Sequence, residues 1–134
     1  MTGGASLVGQ FALIGIGGAI GAWLRWAVGF AAVKHVGSGF PWGTLTVNLL
    51  GSLAAGVVLA LLEDRGHVGA YARAFLLVGV LGGFTTYSAM MVDTLILGRG
   101  GKPAIAAAYL VLTLAGGLLA VWAGWVLGRM LRGS

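Results

Sequence analysis

Four apolar runs, each near or above the roughly 20 residues needed to cross a bilayer, occupy almost the whole of this 134-residue chain. They extend from about Leu7 to Val33, Trp42 to Leu62, Gly69 to Leu97 and Ala104 to Leu127. A backbone in hydrocarbon finds no water to bond, so runs of this length fold as helices. The chain is therefore an all-α integral membrane protein, read as a single four-helix domain over residues 1–134. Charged residues make up 8% of it, against about a quarter in soluble domains. The runs are too many for a secretory signal ahead of a soluble domain. No small-residue cleavage site follows a short first run, so the first span is expected to be kept. The connectors, Lys34 to Pro41, Glu63 to Val68 and Gly98 to Pro103, are too short for a second domain, and Gly128 to Ser134 reads as a basic tail.

The third run is not uniform. Its middle carries Gly82-Gly83-Phe84-Thr85-Thr86-Tyr87-Ser88, a polar interruption led by two glycines, which are poor helix-interior residues. The hydroxyls and freed carbonyls of such a stretch are tolerated at membrane depth only where buried in protein or lining a cavity. It reads as a broken helix at an ion or substrate site.

Net charge is +5, but the basic residues are scattered at span ends with no basic aromatic stripe, so nucleic acid is not a partner. Anionic lipid or an anionic permeant suits the charge better. Orientation follows from the Lys and Arg of the loops. Arg65, Arg73, Arg129 and Arg132 lie on one side, and Arg25, Lys34, Arg99 and Lys102 on the other. Four against four leaves no preferred topology. Insertion in both orientations is expected, and an antiparallel homodimer is its natural product. Cysteine is absent, which removes disulfides and thiolate chemistry.

Within the spans, the first carries Gly15-Ile16-Gly17-Gly18-Ala19-Ile20-Gly21. This is a near miss for a dinucleotide fingerprint, with Ile20 where the last glycine belongs and no preceding strand. Gly17 and Gly21 are better read as a small-residue packing face. Arg25 falls inside the apolar run, where it either snorkels as an interfacial anchor or supplies the cation of an anion vestibule. In the second span Thr44, Asn48 and Ser52 recur every four residues and share one face. Asn48 is either interhelical glue or an N–H donor to an anion, and the break in the third span favours the donor role. In the fourth, Tyr109, Thr113 and Gly117 share a polar face, and Gly116, Ala120, Gly124 and Gly128 form a second, small-residue seam. Asp93 is the sole acid at possible membrane depth. His35 and His67 lie in connectors, and no nucleophile, metal cluster or phosphate loop can be assembled, so the chain is not an enzyme.

Three of these stretches, Gly18 to Arg25, Gly43 to Ser52 and Gly82 to Ser88, resemble in order and spacing the motifs of the Fluc (CrcB) family of fluoride channels. The resemblance implies a dual-topology antiparallel homodimer in the cell (inner) membrane that exports fluoride passively through two pores. It also implies a structural sodium ion at the dimer centre, held by the backbone carbonyls of Gly82 and Thr85 from each subunit. Asn48 matches the family's pore asparagine, with Thr46 near it. Ser88 follows the aromatic position, Tyr109 and Thr113 match a polar track, Asp93 stands where the family has Glu, and Arg25 matches a vestibule arginine. Tyr87 and Met90 replace two phenylalanines whose ring edges, carrying partial positive charge, meet the anion. Tyr87 keeps an edge and adds a hydroxyl; Met90 substitutes a polarizable thioether. A heterodimer whose partner supplies the missing ring is the variant reading.

The mechanism this implies is replacement of the hydration shell of a small ion by donors from Asn48, Ser88, Thr113 and ring edges, in a pore too narrow for larger halides. Two other classes share the architecture. A proton-coupled small multidrug or cation exporter needs an intramembrane acid, which the first, second and fourth spans lack. A non-transporting assembly partner needs the glycine ladders but not the polar stripes.

Overall fold

The computed structural model describes residues 5–133. Residues 1–4 and Ser134, the ends of the expected domain and tail, lie outside the described residues. Four helical spans are long and apolar enough to cross a membrane: Leu7–Val36, Trp42–Leu61, Gly66–Arg99 and Pro103–Arg132. The first is α1 (Leu7–Val36), capped by Ser6, whose hydroxyl accepts from the Gly9 N–H, and stopped by Gly37 at φ 99. The second is α2 (Trp42–Leu61). The third is composite: α3 (Gly66–Arg73), a π-helical segment (Ala74–Leu81), α4 (Gly82–Phe84) and α5 (Tyr87–Arg99). The last is α6 (Pro103–Arg132), with proline in its first turn, where its missing N–H costs nothing.

Most helices overrun the apolar limits expected for them. Thirty residues, the length of α1 and of α6, span about 45 Å against a hydrocarbon core of about 30 Å. Lys34, His35, Arg129 and Arg132 therefore continue their helices into the headgroup region, and the stretch expected as a basic tail is helical as far as Arg132. Helices stop where backbone geometry stops them, not where polarity begins.

Many large apolar side chains point outward, as in Trp23, Trp26, Phe30, Leu118 and Trp122, and outside one cluster of Leu45, Met90, Leu97 and Tyr109 the buried positions are mostly glycine and alanine. Lipid is as apolar as leucine, so the helices gain by close backbone contact instead of by hiding large residues. A Cβ added at Gly17 would stand 2.6 Å from the Phe75 carbonyl oxygen, and one at Gly21 would collide with that of Val80. Across the seam, a Cβ at Gly79 would lie 3.0 Å from the Gly17 Cα, and one at Gly83 2.6 Å from the Gly18 oxygen. The packing role read for Gly17 and Gly21 is thus what the fold uses.

On α6 the expected separation into a polar face and a seam does not hold. Gly116 meets Leu49, Gly117 faces Ser52, and Gly124 and Gly128 press on Leu53 and Val57, all of them on α2. Tyr109, Thr113 and Gly117 are buried together with Gly124 and Gly128. Adjacent residues straddle one contact line because two crossing helices meet along a stripe wider than a single row.

At one membrane edge Arg132 closes the end of α2. Its guanidinium donates to the carbonyls of Ala60 at 3.0 Å and Glu63 at 3.2 Å, and pairs with Glu63 Oε2 at 3.4 Å and Asp64 Oδ2 at 3.2 Å. Trp125 Nε1 donates to the other Glu63 oxygen at 3.0 Å. Orphan carbonyls at a helix end need donors. Arg132→Ala is expected to lower the melting temperature of the detergent-solubilised protein by about 3 °C, equivalent to about 1 kcal/mol for partly exposed charged bonds. An unchanged melting curve would mean that water caps α2 equally well.

Candidate functional site

The third helix is broken, but not by its glycines. Gly82 is helical at φ −63, ψ −36, and Gly83 serves the contact with α1. The chain leaves the helix at Thr85 (φ −80, ψ 158) and Thr86 (φ −152, ψ 119). It restarts because the Thr86 hydroxyl caps α5, accepting from the Ala89 N–H at 3.2 Å. Threonine suits this position: a β-branched residue favours extended backbone, and its oxygen satisfies an orphan donor.

Asn48 holds the break open. Its Oδ1 accepts from the Thr86 N–H at 2.8 Å and its Nδ2 donates to the Thr86 carbonyl at 3.1 Å, so the amide stands in for a length of missing backbone. This has a consequence for two carbonyls. In an unbroken helix the Thr86 N–H would bond Gly82 and the Ala89 N–H would bond Thr85. Those donors are taken by Asn48 and by the Thr86 side chain, leaving the Gly82 and Thr85 oxygens without their helical partners. An asparagine amide carries two N–H groups; one is spent on Thr86.

Both residues border an open groove of about 550 Å³, walled by Asn48 and Ser52 of α2, by Tyr87 and Met90 of α5, and by Thr113 and Gly117 of α6. Met90 is buried in this wall and joins the Tyr109 and Leu97 core. Tyr87, the first residue of α5, is 70% exposed, and Ser88 beside it is exposed as well. Thr113 lines the groove, but its hydroxyl hydrogen faces the Tyr109 carbonyl at 2.8 Å. The Thr85 hydroxyl likewise faces the Leu81 carbonyl at 3.0 Å.

Other expected site residues lie elsewhere. Tyr109 is fully buried, held edge-on by Phe40 at 5.6 Å between centroids. Its hydroxyl donates to Asp93 Oδ2 at 3.2 Å, and the same oxygen accepts from Thr44 at 2.7 Å. Asp93 borders a separate hollow of about 310 Å³ with Thr44, Phe40 and Trp42. Arg25 borders another, of about 400 Å³, with Trp26, Thr44, Val47 and Thr86. Thr44 joins these two hollows, and Thr86 separates the Arg25 hollow from the groove. Arg25 forms no ion pair among the described residues. Thr46 faces away, into a hollow between α1 and α2 with Val28, Ala32 and Trp42.

The structure thus brings Asn48, Gly82, Thr85, Tyr87, Met90 and Thr113 to one groove, places Arg25 and Asp93 in neighbouring hollows, and leaves Thr46, Ser88 and Tyr109 off the groove lining. Two residues escaped the site reading: Thr44, which holds Asp93, and Thr86, which carries the break. The four-residue spacing of Thr44, Asn48 and Ser52 was the available signal for the first. For the second it was a threonine three residues before Ala89, the spacing of a helix cap.

Four spans long and apolar enough to cross a membrane, with a hydroxyl-rich break in the third that borders an open groove, define a multi-pass membrane protein. Residues 12–125 match the family described as CrcB-like protein, Camphor Resistance (CrcB), and the chain belongs to that family. It is 47% identical over 122 residues to a fluoride-specific ion channel FluC of Xanthomonas euvesicatoria pv. vesicatoria, covering 91% of this chain and 92% of that protein. It is similar to FluC of Thermus thermophilus, at 44% over 126 residues, covering 94% and 98%. With FluC of Agrobacterium fabrum it shares 42% over 122 residues, covering 91% and 98%.

Proposed function

We propose that this chain conducts fluoride passively out of the cell across the inner membrane, as an antiparallel homodimer of two oppositely inserted copies. The observation that carries the reading is the clasp of Asn48 on Thr86, which opens the helix at membrane depth and leaves an amide N–H and two carbonyls beside one groove. The names of the relatives supply the ion. The dimer answers a physical need. Gly82, Tyr87 and Ser88 are exposed in a single chain, and polar groups of a helix break are costly against lipid. A second copy laid antiparallel over the groove covers them, and the even division of basic residues permits both insertions.

In this reading Arg25, without an ion pair among the described residues, draws anions toward the mouth, and Asp93 is held off by Thr44 and Tyr109. Fluoride then exchanges water for the free N–H of Asn48, the Ser88 hydroxyl and the ring edge of Tyr87, while Thr113 must turn its hydroxyl to donate. Met90 narrows the groove wall with a polarizable thioether where the family has a ring.

The Gly82 and Thr85 carbonyls suit sodium: they are hard oxygen donors, without helical partners, on two residues that border the groove. Two from each copy would make a four-oxygen site, and a bound cation there would lower the barrier to an anion nearby. A proton-coupled multidrug or cation exporter lacks support, because no carboxylate lines the groove among the described residues.

Purified protein in liposomes is expected to release fluoride, read with a fluoride electrode, and to retain chloride. Replacing sodium by N-methylglucamine throughout purification is expected to reduce the rate by about tenfold or more. Folded dimers that pass no fluoride would refute the homomeric channel and leave the heterodimer. Equal rates with and without sodium would refute the cation site.

A further inference from the structure

We propose that Ser52 is a second hydrogen-bond donor to the permeating anion, one helical turn from Asn48, and that Gly117 opposite it is the gap that keeps its hydroxyl open. The proposal rests on the fluoride-channel reading and deepens it.

Ser52 and Asn48 are the two polar side chains of the α2 wall. The Ser52 hydroxyl makes no hydrogen bond among the described residues, in contrast to Thr85, Thr94 and Thr113, each of which turns its hydroxyl back onto the carbonyl four residues earlier. Among the described residues, no fully buried side-chain oxygen or nitrogen lacks a partner. An unbonded Ser52 oxygen therefore reaches open space, and the groove is the space it borders. On the facing helix, a Cβ built at Gly117 would sit 3.4 Å from Ser52 Oγ, an ordinary contact. A side chain longer than a methyl there would crowd the Ser52 hydroxyl. Thr113, the other polar residue of that wall, has its hydrogen committed to Tyr109.

Residues four apart on a helix stand about 5–6 Å apart at Cβ. Donors at that separation can both reach one small anion between them at about 2.8 Å, the length of a charge-assisted hydrogen bond. A larger halide cannot approach both so closely. An isolated hydroxyl in an apolar wall is costly unless it finds a partner, and the anion is the partner of opposite sign.

The test is fluoride efflux from liposomes holding wild type, Ser52→Ala, Ser52→Thr and the double variant Ser52→Ala with Gly117→Ser, each checked for dimer assembly by size exclusion. In Ser52→Ala the rate is expected to fall by about tenfold or more with assembly intact. Ser52→Thr keeps the hydroxyl and is expected to stay within about twofold of wild type. The double variant returns a hydroxyl from the opposite wall, where loss of the Ser52 hydroxyl leaves room for it, and is expected to recover much of the lost rate. A wild-type rate in Ser52→Ala overturns the proposal. So does loss of assembly in that variant, which would make Ser52 a packing residue, and so does a slow Ser52→Ala that neither hydroxyl rescues. Failure of the wild type itself to conduct would instead strike the channel reading.

Discussion

Asn48→Asp is expected to reduce fluoride efflux by at least about a hundredfold and to lower the melting temperature of the protein. The change is one atom for another, and every consequence follows from the clasp. One carboxylate oxygen still accepts from the Thr86 N–H, but the other replaces an N–H that donates to the Thr86 carbonyl at 3.1 Å. Two acceptors then face each other in a low dielectric, and the second N–H of the amide, the donor proposed for the anion, is gone. Removing a preorganised donor from a site where charge must be received typically costs about 10²–10³ in rate. Asn48→Ala separates the two effects. It leaves the Thr86 N–H and carbonyl unpaired, at about 1–3 kcal/mol each, and should destabilise more than the aspartate does. Efflux and melting unchanged in both variants would remove Asn48 from the path and from the fold together.

The second large effect concerns assembly. Gly56→Leu is expected to yield no folded protein, because α2 and α6 cross there backbone on backbone. A Cβ on Gly56 would collide with the Val121 carbonyl oxygen and stand 2.7 Å from the Trp125 nitrogen and 3.0 Å from the Gly124 carbonyl carbon. No rotamer relieves a clash with backbone, so the helices must part, and the cost exceeds the roughly 1–3 kcal/mol of ordinary overpacking. Gly15→Ala is the matched control: nothing lies within 4 Å of its added Cβ, and alanine is the better helix former by about 1 kcal/mol. Size exclusion and circular dichroism in detergent distinguish the two. A monodisperse helical Gly56→Leu would show that the α2 and α6 contact is softer than its geometry.

The site was legible in the sequence where spacing alone defines a face. Thr44, Asn48 and Ser52 recur every four residues, and each does look toward α5, the break or the groove. It was not legible where two helices had to be docked first. Thr46 sits two residues from Asn48, so the helix turns it toward α1 and away from the groove. Tyr109 and Thr113 share a face, yet the groove ends between them: Tyr109 is sealed under Phe40 with its hydroxyl on Asp93, and Thr113 lines the groove. The glycine pair illustrates the same limit. Gly82 and Gly83 carry the propensity of a helix break, but a membrane helix tolerates glycine when a neighbour approaches closely, and Gly18 does.

Four spans, their order and their helical character were determined by the sequence alone, because hydrocarbon leaves an unpaired backbone no alternative and twenty apolar residues need no neighbour to become a helix. So was the presence of a polar interruption in the third. Where that interruption opens, which carbonyls it releases and which side chains share the groove were decided by tertiary structure. The Thr86 backbone gives up its helix only because Asn48, thirty-eight residues away, supplies both a donor and an acceptor in its place, and that exchange exists only once α2 lies against the third span.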